Sequence, residues 1–304
     1  MKPCVFIHTN EKQVVGALVA AYALRRNACR PDSFGVRIIH TRDYPWLGAR
    51  QGQSFIRDGA IRTWDMGDLQ SFTPLRFLPP QLMDYVGRAA IIDPDVFAVA
   101  DVGELLCRDM AGKAILCRMR DGPKGTHGYY ASSVMLLDCS RLQHWRPRED
   151  FDSLFSFERD YMDWISLKLE PPQTIGALES VWNDFDRLTP QTKMLHNTRR
   201  ITQPWKTGLA IDFTVAESFK PVPFYNSVLH IARQVVGPGK LIGRYLRHPD
   251  RAQERLFFGL LRECLDNGQV SEPLLRDEMA RGHIRRDAFE VLDRTRPLAA
   301  QRQH

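Results

Sequence analysis

RAAIIDPDVFAVAD, residues 88–101, sets an acidic turn between two apolar runs. The first run has the length of a buried strand, so Asp93 and Asp95 emerge at that strand's C-terminal end. Ligands of open α/β sheets bind along that edge. Residues two apart in extended chain point the same way, so both carboxylates can face one hard divalent cation. Mg²⁺ or Mn²⁺ suits such oxygen ligands combined with substrate phosphate oxygens. Spacing alone decides little. Asp-x-Asp recurs at Asp150/Asp152 and Asp184/Asp186, in polar stretches where an exposed, solvated turn is the expected outcome.

Upstream, CVFI (4–7) reads as a buried strand, and QVVGALVAAYALRRN (13–27) as a helix. Val14, Val15, Leu18, Val19 and Tyr22 fall on one stripe of that helix. VRIIH (36–40) supplies a second strand, and strand–helix–strand order implies a parallel, doubly covered sheet. Downstream, VFAVAD (96–101), KAILCR (113–118), YASSVMLLD (130–138) and KMLHN (193–197) read as strands, and FDSLFSFERDYMDWISLKL (151–169) as helical. From about residue 240 the pattern turns helical. Asp250 fits an N-cap, Gly268 a stop, and Leu256, Leu260, Leu261 and Cys264 share a face. The expected organisation is an α/β domain over 1–240 and a helical extension over 241–304.

Composition is that of a soluble globular chain: 304 residues, 43% hydrophobic and 26% charged. The formal net charge of +6 favours anionic partners such as nucleotides or acidic saccharides. No zinc-finger spacing, RNP-like signature or KH loop points to nucleic acid. The six cysteines form no CxxC pair, as expected of reduced thiols in a cytoplasmic protein. No run approaches about 18 uninterrupted apolar residues, so peripheral contact through the basic C-terminal helices is the expected limit of any membrane association.

FTPLRFLPPQLMDYVGRAAIIDPDVFAVADVGELL (72–106) resembles glycosyltransferase family 8, which includes glycogenin and bacterial lipopolysaccharide galactosyl- and glucosyltransferases. An Arg-bearing helix, a strand, an Asp-x-Asp turn, an apolar run and an Asp-x-x-Glu-Leu segment (Asp101–Leu105) follow one another in family order. VFIHTNEKQVVGALVAAYALRRN resembles that family's first strand and helix, YMDWISL (161–167) an Asp-bearing segment beside the transferred sugar, and VWNDFD with MLHNTRRITQPWKTG (194–208) its closing pattern. The resemblance spans roughly residues 4–210. It implies a GT-A glycosyltransferase fold: a Rossmann-like mixed, mostly parallel sheet flanked by helices. It further implies a metal-dependent, retaining hexosyltransferase moving sugar from a UDP-sugar to a saccharide or glycoconjugate. By position, Asp93, Asp95 and His196 would hold Mn²⁺ or Mg²⁺. Thr9, Asn10, Arg76, Asp93 and Lys206 would bind the nucleotide-sugar, and Asp163 would serve the reacting sugar.

The departures cluster around the donor. The family's phosphate-binding Lys aligns with Gln203, its Asn-x-Gly with Ala131-Ser132-Ser133, and its Gln after the sugar-proximal Asp with Trp164. The Gly after the metal-binding His is absent, and Pro94 brings no N–H to the acidic turn. A catalytically weak nucleotide-sugar-binding protein on the same fold is therefore the alternative reading. Sugar nucleotidyltransferases fit less well, since HTNEKQVV stands where they carry a glycine-rich phosphate loop.

Overall fold

The computed structural model describes residues 2–120, 128–212 and 243–298. The expected boundary near residue 240 lies outside them. The chain divides into two units, one running to His196 and the other from Asn197 to Ala300.

The first unit contains eleven strands among its described residues: β1 Cys4–Thr9, β2 Gly35–His40, β3 Ser54–Arg57, β4 Ala60–Thr63, β5 Arg88–Ile92, β6 Val96–Ala98, β7 Ile115–Arg120, β8 Tyr129–Asp138, β9 Ile175–Ala177, β10 Asp184–Phe185 and β11 Met194–His196. Six of them form the central sheet, in the order β2-β1-β5-β8-β7-β9. β1 runs parallel to β2 and β5, and β7 runs parallel to β9. β8 is antiparallel to both its neighbours. The sheet is mixed and mostly parallel, with helices flanking it, as expected for a GT-A domain; the reversed strand is β8.

Every residue of β1 is buried, which explains its unbroken apolar start. The helix after it, α1 (Val14–Arg26), buries Val15, Ala17, Val19, Ala20, Ala23 and Leu24. Its buried face thus mixes alanines with Val15, Val19 and Leu24, while Val14, Leu18 and Tyr22 of the expected stripe are only half-buried. Small side chains bring the helix close to the strands beneath it.

Residues 151–169 do not form one helix. Two short helices, Pro147–Asp152 and Tyr161–Ile165, are separated by a turn in which Phe157 has φ +62°. Asp160 ends the turn by accepting the Met162 N–H, and its carboxylate also takes the N–H groups of Asp58 and Gly59. The helical periodicity came from aromatic residues that pack in a cluster instead: Phe151 edge-on to Trp64 at 4.9 Å, and Trp164 stacked on Phe77 at 4.6 Å.

A second sheet, β10-β11-β6, determines where the site forms. β11 pairs antiparallel with β6, setting His196 opposite Val96. That register brings a residue from position 196 beside the turn that ends at Asp95.

In the second unit, the Arg251–Asp266 helix is capped by the Asp250 side chain on the Ala252 N–H and ends before Gly268 at φ +69°. Its buried face carries Phe257, Phe258, Leu260, Leu261 and Cys264, with Leu256 half-buried. Helices Glu272–Ala280 and Ala288–Arg294 follow. Among the described residues, no helix is long and apolar enough to cross a membrane.

Candidate metal centre

Asp93, Asp95 and His196 each offer one ligand atom, and these atoms all lie within 4.8 Å of one another. Two carboxylate oxygens and one imidazole nitrogen suit a divalent ion such as Mn²⁺ or Mg²⁺. Asp93 leaves the end of β5 and anchors its own N–H on Ser133 O at 3.0 Å. The turn also presses on α1: a β-carbon on Gly16 would lie 2.7 Å from the Pro94 carbonyl oxygen. Only glycine lets helix and acidic turn approach this closely.

Asp93 is held from behind. Its Oδ1 accepts from Arg76 Nη2 at 2.6 Å and from His8 Nε2 at 2.7 Å. Both bonds end on the same oxygen. Burial alone would push the carboxyl pKa up, but Arg76 and His8 outweigh it and hold the group well below the usual carboxylate range. His8 shows the converse. Burial lowers its pKa more than Asp93 raises it. A carboxylate only accepts, so His8 Nε2 carries the hydrogen of that bond. Its buried Nδ1 has no hydrogen-bond partner among the described residues.

His196 is oriented by an equally specific contact. Its Nδ1 lies 2.8 Å from Asn183 Oδ1, while Asn183 Nδ2 donates to Ser133 Oγ at 2.9 Å. The serine hydroxyl accepts from the amide nitrogen, which goes with the amide oxygen facing the ring. An amide oxygen only accepts, so Nδ1 bears the hydrogen and the Nε2 lone pair is presented 3.3 Å from Asp95 Oδ1. Burial lowers the His196 pKa, but Asp95, then Asp93 and Asp186, raise it further, for a net upward shift.

The two supports meet on β8. Its pairing with β7 jumps from Cys117↔Met135 to Arg118↔Ala131, a bulge that leaves Ser132 and Ser133 without β7 partners. Ser132 Oγ accepts from Arg76 Nη1 at 2.7 Å and donates to Ile165 O. Ser133 holds Asn183. Adjacent residues of one bulge thus brace the Asp93 side and the His196 side.

No family model matches the chain, and no curated protein sequence matches it. Among solved structures, it is similar to the glycosyltransferase GlyE of Streptococcus pneumoniae, at 15% identity over 79% of this chain and 66% of that one, with a TM-score of 0.47. It is also similar to the galactosyltransferase LgtC in complex with donor and acceptor sugar analogues, at 12% identity over 66% and 89%, TM-score 0.48. Mouse xyloside xylosyltransferase 1 matches at 14% identity over 66% and 98%, TM-score 0.42. Likeness of this degree carries nothing about substrate or chemistry.

The remaining expected site residues are placed as follows. Arg76 sits in a short 3₁₀ helix, Thr73–Phe77, and reaches Asp93 directly. Thr9 and Asn10 follow His8 and are buried. Asn10 Nδ2 donates to Asp68 O, Leu69 O and Ser71 Oγ, tying down the loop that precedes the Arg76 helix. Asp163 is half-exposed and bonded to Lys168 Nζ at 2.7 Å. In the second unit, Lys206 is fully buried with its ammonium 2.6 Å from Asp212 Oδ2, and Trp205 packs on Phe257 at 4.7 Å.

The Asp184/Asp186 pair differs from expectation. Asp184 is buried, accepting from Thr192 Oγ1 at 2.8 Å, and Asp186 donates its N–H to His196 O. Both brace the strands that carry His196. Sequence reasoning missed His8, Ser132, Ser133 and Asn183 as supports. A histidine within the apolar CVFIHT was the one local signal among them.

Proposed function

We propose that this chain is a metal-dependent glycosyltransferase of the GT-A kind, retaining configuration and moving a hexose from a UDP-sugar to a saccharide or glycoconjugate. The observation that carries the reading is the convergence of Asp93, Asp95 and His196, each orientated by a buried partner of its own chain or facing another ligand. Asp93, Asp95 and His196 would hold a divalent cation, whose charge stabilises the departing diphosphate. Arg76 and His8 keep Asp93 ionised and fixed in direction, and Asn183 keeps the His196 lone pair pointed at the centre. Such prearranged groups need no reorganisation when charge develops. Thr9 and Asn10 would line the nucleoside end, Lys206 would meet phosphate, and Asp163 would serve the sugar, as the family resemblance implies. The proposed organisation remains a catalytic domain over 1–240 with a helical extension over 241–304, acting in the cytoplasm or at a membrane surface.

Gln203 at the family's lysine position, with Lys206 already bonded to Asp212, favours a second reading: a nucleotide-sugar-binding protein with weak or no turnover. A thermal-shift panel of nucleotide-sugars with and without Mn²⁺, followed by donor hydrolysis assays, separates the two. UDP with Mn²⁺ raises the melting temperature in both readings, and Asp95→Ala cancels the rise. Turnover of any donor supports the transferase, and stabilisation without turnover across the panel supports the binding protein. A rise that persists in Asp95→Ala removes the site from consideration.

A further inference from the structure

Beside the imidazole of His196 lies a basic, aromatic cluster that the proposed chemistry does not use. β10 pairs with β11 in a register that sets Phe185 alongside His196, ring centroids 5.4 Å apart and edge to face. Two guanidiniums lie over that same phenyl ring: Arg118 Cζ at 4.1 Å and Arg120 Cζ at 4.5 Å from its centroid. Positions 118 and 120 share a face of β7, past the bulge, so both reach one ring. Arg118 Nη1 donates to the Asn183 carbonyl oxygen at 2.6 Å. Asn183 therefore positions the metal histidine with its side chain and this arginine with its backbone. Arg120 also covers the ring of Tyr129 at 5.2 Å, a residue that is 38% exposed.

We infer that Arg120, with Arg118 and Tyr129, forms a subsite for an oxyanion carried by the sugar substrate: a carboxylate or phosphate on either the donor sugar or the acceptor. Two like charges over one ring repel, and an anion bound across them relieves that cost. A guanidinium is a planar fork of N–H donors suited to bidentate bonds with an oxyanion, and Arg120 lies on the exposed side of this cluster. Among the described residues no carboxylate forms an ion pair with Arg120, whereas Arg50, Arg76, Arg108 and Arg285 each have one. An exposed tyrosine beside the arginine offers a sugar ring a face to stack on. A single phenyl ring separates Arg120 from the imidazole of the metal centre, so a group bound there belongs to the sugar being handled at that centre. The inference rests on the transferase reading and deepens it.

The test is calorimetric titration of the full-length protein with Mn²⁺, in two arms. The donor arm compares UDP-glucuronate with UDP-glucose. The acceptor arm compares glucose 6-phosphate with glucose on protein loaded with UDP and Mn²⁺. In one arm the anionic ligand binds tighter by about tenfold or more. Arg120→Gln removes that preference, and Arg120→Lys, which keeps charge without the planar fork, restores part of it. Absence of a preference in both arms, or its survival in Arg120→Gln, overturns the subsite. So does equal weakening of UDP-glucose and UDP-glucuronate by Arg120→Gln, because the arginine would then serve the diphosphate. Wild-type protein that binds no UDP with Mn²⁺ overturns the transferase reading, and this inference with it.

Discussion

Asp93 with Arg76 and Asp152 with Arg50 are the same contact in two settings. The separations are 2.6 and 2.7 Å, and each aspartate belongs to an Asp-x-Asp pair. The first pair's side chains are 8% and 14% exposed, the second's 31% and 37%. Around Arg50 and Asp152, water solvates the charges and screens their attraction. Around Arg76 and Asp93, protein groups take the place of water: Ser132 takes one arginine nitrogen and Asp93 another, while His8 fills out the same carboxylate oxygen. The difference is what separates a surface ion pair from a preorganised ligand. Identical spacing in sequence conceals it, because burial and partners come from elsewhere in the chain.

Substitutions at the two pairs sharpen the contrast. On the proposed function, Asp95→Ala removes a metal ligand and with it several kcal/mol of transition-state stabilisation, so turnover falls by about three orders of magnitude. Asp152→Ala leaves the Mn²⁺ response intact. Steady-state assays over a Mn²⁺ series distinguish the outcomes, and equal losses would dissolve the comparison. Arg76→Met strands a buried carboxylate and destabilises the metal-free protein by about 3–5 kcal/mol in chemical denaturation.

Smaller effects follow from the supports. Asn183→Ala releases the His196 ring and weakens Mn²⁺ binding by about 10–100-fold, measured by titration, with the fold preserved by circular dichroism. The pH dependence has a definite sign. The His196 pKa is raised, and metal needs the neutral ring, so Mn²⁺ affinity climbs with pH by up to about tenfold per unit until that raised value is passed. The same shift acts oppositely on metal-free stability. A histidine with raised folded pKa contributes fully below its ordinary value of about 6.5, and the contribution is lost as pH rises through the folded value. Mn²⁺ affinity that is flat from pH 6 to 8 would show that His196 is not a ligand. Least of all, Arg50→Met changes stability by no more than about 1 kcal/mol, since its pair is part-exposed. A larger loss there would mean that exposure is the wrong axis of comparison.

Local pattern made much of this legible. Asp93 and Asp95 announced themselves because an apolar strand runs straight into them, and β1, β2 and β5 are where continuous apolar runs stand. The long-range partner His196 was reached through family resemblance, since nothing local in KMLHN shows what it faces. The supports were hidden for physical reasons. Ser132 and Ser133 lie inside a strand whose period hides a bulge, and a bulge is defined by its neighbour's register rather than by its own residues. Asn183 acts through an amide that is also bonded to Ser133, fifty positions earlier in sequence. The helix expected over 151–169 failed for a related reason: its aromatic residues satisfy a helical period, while the break at Phe157 is a backbone matter.

The bulge in β8 has a further consequence for how this chain can change over generations. Side chains in a strand alternate faces, so one residue gained or lost near 132 would exchange the two serines' directions at once. Neither half of the centre can then drift by itself: an insertion that spared the acidic turn would still cut the histidine loose. Descendants that retain the centre must keep the length of this segment even where its letters vary, and those that lose it should lose both halves together.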